Sequence, residues 1–126
     1  MNDTELLLRE RLGGTAVATS TIANGQSLSG VIDLEGRTMV GIIMPAAWTA
    51  ASLTFQACAT QTGTYSDLYD DSGIEVAVQA AAARAIAVDL AALKLAPWRY
   101  LRIRSGTSGT PVNQGAERIL TLVVKG

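Results

Sequence analysis

Four carboxylates fall within one short stretch, Asp67, Asp70, Asp71 and Glu75 in "SDLYDDSGIE". Oxygen donors at this spacing can hold calcium, and two of them could imitate the carboxylate pair of a glycosidase. The same string also reads as a hairpin turn, with Asp70–Asp71–Ser72 initiating it and Gly73 taking positive φ. Nothing in the sequence sets one of these carboxyls in an apolar pocket, as a general acid requires. The turn is the stronger reading, and the expectation is no catalytic residue and no metal site.

A second candidate is "WRYLRIR" (98–104). As a strand it separates its side chains by parity. Leu101 and Ile103 suit a core, with Arg99 at its edge, while Trp98, Tyr100, Arg102 and Arg104 share the opposite face. An aromatic and basic stripe can stack on sugars or anchor a protein interface. It can equally be a second covered face, or arginines solvated at a sheet surface. Trp48, in "MPAAWTAA", reads as a loop residue after a buried strand. Exposed, it would contact glycan or protein; turned inward, it would plug one end of the fold. Cys58 reads as a small buried or half-buried thiol.

What is missing narrows the chemistry. The chain has no histidine, which excludes a Ser-His-Asp or Cys-His nucleophilic site within it and histidine-ligated zinc, iron or copper. A single cysteine forms no intrachain disulfide and suits a reducing compartment. The run "SGTSGTP" (105–111) has no lysine and precedes no helix, so it reads as a connection between strands and not as a phosphate loop. Ten basic against eleven acidic side chains leave a net charge of −1. That removes the electrostatic case for nucleic acid or an anionic membrane surface. No stretch approaches the ~18 apolar residues of a membrane span. The start, "MNDTELLLRERLGG", is charged and carries too short an apolar run for a secretory leader. No cofactor is expected.

These residues need a scaffold, and its signature is a period of two. "TAVATSTI", "SLSGVIDL", "RTMVGIIM", "SLTFQAC", "TYSDLYD", "IEVAV", "RAIAVDL", "WRYLRIR" and "RILTLVVK" follow one another with turn signals between them, among them Asn24–Gly25, Glu35–Gly36 and Thr62–Gly63. Many short, punctuated strands predict an all-β sandwich or barrel. The alanine-rich stretch 76–94 favours helix by propensity, but Ile86, Val88 and Leu90 repeat at a period of two. It divides into strand, connection, strand and a helical turn near Leu90–Leu95 that Pro97 stops. Residues 1–14 form an arm or short helix, and 15–126 the sandwich domain. Within the arm only Leu8 and Leu12 stack at i,i+4, a stripe too narrow to stand unsupported; these are the expected arm contacts. "RTMVGIIM" and "RILTLVVK" are apolar on both faces, with Val40, Ile42 and Met44 set against Met39 and Ile43, and Ile119 and Val123 against Leu120, Leu122 and Val124. An antiparallel sheet usually turns one polar face to water, so both faces of these strands are expected to be covered.

Residues 36–73 ("GRTMVGIIMPAAWTAASLTFQACATQTGTYSDLYDDSG") and 96–126 ("APWRYLRIRSGTSGTPVNQGAERILTLVVKG") resemble small virion-associated proteins of tailed bacteriophages and prophage-like elements. The resemblance rests on "MPAAWTAASLTFQ", "YSDLYD", "RYLRIRSGT" and "PVNQGAER" and spans about residues 25–126. It implies a jelly-roll-like antiparallel β-sandwich used for capsid decoration (cement) or as a head-spike or fibre base. It further implies a homo-oligomer, trimer or hexamer, that is made in the bacterial cytoplasm and resides on the virion against the major capsid protein or another virion protein. Trp48, Trp98, Tyr100, Arg102 and Arg104 are then the expected interface or ligand contacts. The alternative, in line with carbohydrate-binding jelly rolls, is a module that recognises a host surface glycan through aromatic side chains. The low aromatic content, 5%, weighs against it.

Overall fold

The computed structural model describes residues 14–88, 91 and 94–126. Nine strands form along this chain: β1 (Ala16–Ile22), β2 (Ile32–Asp33), β3 (Thr38–Ile43), β4 (Leu53–Cys58), β5 (Ser66–Asp67), β6 (Ala77–Val78), β7 (Ala85–Ala87), β8 (Tyr100–Ser105) and β9 (Arg118–Lys125). They pair antiparallel into two sheets. Sheet A has the order β1-β9-β3-β7. Sheet B has the order β2-β8-β4-β5, with β6 pairing the other half of the same β4 edge. The chain crosses between sheets at most of its connections, so neighbours in sequence are mostly not neighbours in a sheet. The all-β sandwich is as the periodicity predicts.

The alternation of side chains explains why these segments pair. Leu120, Leu122 and Val124 of β9 point inward with Ile22, Met39 and Ile42 from the same sheet. They meet Leu53, Phe55, Leu101 and Ile103 from sheet B, all fully buried. Removing such apolar surface from water is what holds the two sheets together, at about 1.5–3 kcal/mol for each large side chain.

Two departures from simple alternation have local causes. In β3 the register against β9 shifts between Met39 and Gly41, so Val40 is the extra residue of a bulge. Met39 and Ile42 therefore both face the core, whereas strict alternation groups Val40 with Ile42 and Met44 and opposes them to Met39. Ile43 is left outside, 47% exposed. At the other end of the sequence, β8 begins only at Tyr100. Trp98 precedes it, its N–H donating to the Leu95 carbonyl at 3.0 Å, and its ring packs against the core. It does not join the outward row of Tyr100, Arg102 and Arg104.

The turn of residues 70–74 forms as read. The Gly73 N–H donates to the Asp70 carbonyl (3.1 Å) and Gly73 takes φ of 79°. The alanine-rich stretch divides into β6 and β7, and Ala91, Lys94 and Leu95 are helical; Leu90 lies outside the described residues. So do Leu8 and Leu12 of the expected arm. No helix among the described residues is long and apolar enough to cross a membrane.

Candidate assembly face

The outward face of sheet B is polar and internally bonded. Arg104 is 6% exposed although it projects from the outer side of β8. Its guanidinium donates from both terminal nitrogens to Asp67 (2.7 and 2.8 Å), from Nε to Thr54 Oγ1 (3.1 Å) and weakly to Glu75 (3.5 Å). Glu75 in turn accepts the Ser108 backbone N–H at 3.1 Å, and Tyr69 shares a hydrogen bond with the Ser108 hydroxyl. Next along β8, Arg102 lies over the Tyr65 ring, 5.0 Å from its centre. Burial raises the Tyr65 phenol above its ordinary value, with Cys58 adding to the effect. At the far end Arg99 makes a two-pronged pair with Asp33 (2.8 and 3.1 Å) and lies over Tyr100. The Arg99 hydrogen bond holds the Asp33 carboxyl below the ordinary aspartate range, helped by the Glu35 backbone N–H.

This geometry divides the acidic cluster. Asp67 and Glu75 belong to Arg104. Asp70 accepts the backbone N–H groups of Ser72 and Ile74 (both 2.9 Å) and pairs with Lys94 at 3.3 Å. The Ile74 bond is the main reason its carboxyl lies low. Asp71 is left exposed at the turn. Among the described residues no group of three or more carboxylate or cysteine side chains is placed to hold a metal ion.

The loop after β8 is a structural device. Gly106 takes φ of 90°, and a Cβ there would stand 2.5 Å from the Thr110 carbonyl oxygen, so only glycine fits. Its carbonyl accepts the Thr54 hydroxyl at 2.7 Å. Gln114, 1% exposed, accepts the Thr49 N–H (2.8 Å) and donates to the Thr49 carbonyl (3.0 Å) and the Ser105 hydroxyl (2.6 Å). Sequence reasoning misses Gln114 and the burial of Arg104. The one signal for Gln114 is that it is the longest polar side chain of a loop otherwise built of small residues together with Val112 and Asn113, directly before a glycine. Trp48 also turns inward: it packs against the core and its indole N–H donates to the Ala51 carbonyl at 3.1 Å. Cys58 is buried, its sulfur 3.8 Å from the Thr60 hydroxyl.

The outward face of sheet A is different in kind. The register lines up Val17, Val123, Gly41 and Ala87 in one row across four strands. The next row is Thr19, Thr121, Ile43 and Ala85, and the third begins with Thr21 and Ile119. None of these ten side chains is charged. Val17 is 71% exposed and Ile119 50%. A shallow depression of about 410 Å³ lies over Gly41, Ala85 and Ala87, bounded by Ile43 and Val123.

No family model, curated protein or solved structure matches this chain.

The two faces therefore offer different chemistry. On sheet B Arg104 is satisfied by Asp67 and Glu75, and Arg99 by Asp33, and the Tyr65 and Tyr100 rings are partly spent on guanidinium contacts; the buried Nε of Arg102 is the exception, with no hydrogen-bond partner among the described residues. On sheet A a surface of apolar and threonine side chains faces outward, with Lys125 at its end. Exposed apolar patches rimmed by polar residues mark sites of association.

Proposed function

We propose that this protein is a non-enzymatic structural component of a tailed-phage virion, a capsid decoration (cement) protein or the base of a spike or fibre, working as a homo-oligomer against the capsid or another virion protein. One observation carries the reading: three successive rows of the outward face of sheet A hold no charged side chain and expose Val17, Ile43 and Ile119, with Lys125 standing only at the end of the face, opposite Thr38. Such a face costs solubility unless something covers it, and a particle surface or a neighbouring subunit is the cover that a virion supplies. The resemblance of residues 25–126 to virion-associated proteins supports the same conclusion. The strand order supports naming the sandwich a jelly roll. With β5 and β6 forming one edge, it has four strands on each side and repeated crossings between the sheets, as two Greek keys require.

The test is co-sedimentation of the purified protein with capsids of the phage whose genome encodes it. Saturable binding that is lost in Ile43→Lys is the expected result. No binding, with a stable monomer in solution, contradicts it.

The alternative is a carbohydrate-binding module. It is favoured by Tyr69, half exposed beside Ser108 at one end of the sheet B face, although Tyr65 and Tyr100 lie at the other end, by Cys58. Against it, Trp48 and Trp98 are packed on the core and give no ring to a sugar platform. Glycan-array binding that disappears in Tyr69→Ala would support this second reading.

A further inference from the structure

We infer that the outward face of sheet A is covered by a second copy of this chain, related by a twofold axis that runs parallel to the strands between β9 and β3. This deepens the assembly reading of that face and rests on it, but does not depend on the virion. The face is asymmetric across its width. On one side, at β1, Val17 projects and is 71% exposed. On the other side the depression lies over Gly41, Ala85 and Ala87.

A twofold axis along the strands turns left into right. It sets β1 of one copy over β7 of the other, and β9 over β3. Because Val17, Val123, Gly41 and Ala87 share one row, Val17 of each copy then meets the space above Ala87 of its partner, and Val123 meets Gly41. Projections enter hollows twice, once on each side of the axis, as a self-complementary interface requires. A twofold axis across the strands would instead set Val17 against Val17 and hollow against hollow.

Charge and size set the strength of this contact. Self-association brings identical groups together, and the rows of Val17, Thr19 and Ile119 do so without like-charge repulsion, while Lys125 stands at the end of the face opposite Thr38. The strands β1, β9, β3 and β7 hold seven, eight, six and three residues. At about 3.4 Å a residue and about 4.8 Å a strand, each copy offers about 390 Å² in flat projection and the pair about 780 Å², below the ~1,000 Å² of a stable interface and in the range of weak, transient contacts. The contact is expected to be reversible, and it fits a hexamer built as three dimers better than a simple trimer.

The test combines mass and cross-linking on the full chain. Light scattering across a dilution series should show a monomer–dimer equilibrium. Val17→Asp and Ile43→Lys, both at exposed positions, should keep the β spectrum and raise the dissociation constant about tenfold or more. In a Cys58→Ser background, Val17→Cys combined with Ala87→Cys should oxidise to a covalent dimer, whereas Val17→Cys alone should not. Efficient linkage of Val17→Cys alone overturns the proposed axis. A wild-type monomer at every concentration overturns the second copy as occupant, whether residues 1–13 or another virion protein then covers the face. Mass spectrometry of purified particles separates the two proposals: a monomer found in virions leaves the virion reading intact, and a dimer absent from virions leaves the dimer intact.

Discussion

Arg104 holds the polar side of the sandwich together. Its charge is nearly out of solvent, and its partners Asp67 and Glu75 come from a separate hairpin. Removing one member of a buried pair leaves the others uncompensated, and such losses run to about 3–5 kcal/mol. Asp67 is partly exposed, which places Arg104→Ala near the lower end, at about 3 kcal/mol by denaturant titration. Arg104→Lys should recover little, because an ammonium cannot reproduce the forked contact to Asp67 together with the bond to Thr54. None of this is legible in the sequence. A buried arginine and a solvated one look alike in "RYLRIR", and the partners that decide between them, Glu75, Asp67 and Thr54, lie 29, 37 and 50 residues away. Asp33 and Asp70 give a pH prediction. Both carboxyls lie below their ordinary value in the folded protein. Their contribution is therefore complete above the unfolded aspartate value of about 3.9 and is lost as pH falls through the lower folded values. The melting temperature should drop in that acid range, and Asp70→Asn should flatten part of the drop.

At the scale of elements, β4, β8 and β9 are legible because each keeps strict alternation along its length. β2, β5 and β6 are shorter than their apolar patterns suggest. Leu28, Leu34, Leu68 and Val76 continue the pattern beyond the strand ends by single bridges or turns, with Leu34, Leu68 and Val76 buried. The bulge at Val40 is hidden because an extra residue shifts parity without any change of composition. The loop after β8 reads correctly as a connection, but its rigidity does not show, since hydrogen bonds to Thr54, Ser52 and Gln26 depend on tertiary placement. Gly106→Ala should destabilise the domain by about 1–3 kcal/mol through strain at positive φ and collision with the Thr110 carbonyl. Gly109→Ala in the same loop, where a Cβ meets open space, should lie within about 0.5 kcal/mol of wild type. Equal melting temperatures for the two variants would contradict this account of the loop.

At the scale of the molecule, the sandwich divides its labour between two outward faces. Sheet B closes most of its charges among themselves, Arg102 excepted, and sheet A leaves a largely apolar surface whose charge is confined to Lys125 at its end. The sequence signals that second property through "RTMVGIIM" and "RILTLVVK", whose apolar residues on both parities cannot all fit inside one core. It gives no sign of which side chains stay outside, since Ile42 and Ile43 are identical neighbours and the bulge at Val40 decides which parity faces the core with Met39. Truncation of large apolar residues should separate the two roles. Leu122→Ala, in the core, should cost about 2–5 kcal/mol. Ile43→Ala, on the outer face, should leave monomer stability nearly unchanged and weaken association. The proposed virion role is tested most directly by a cryo-EM map of the intact particle of a phage whose genome carries this chain. Density for the sandwich on the particle, with the outward face of sheet A covered, is the expected result. A particle without that density, or with sheet A turned to solvent and sheet B forming the contact, would contradict it.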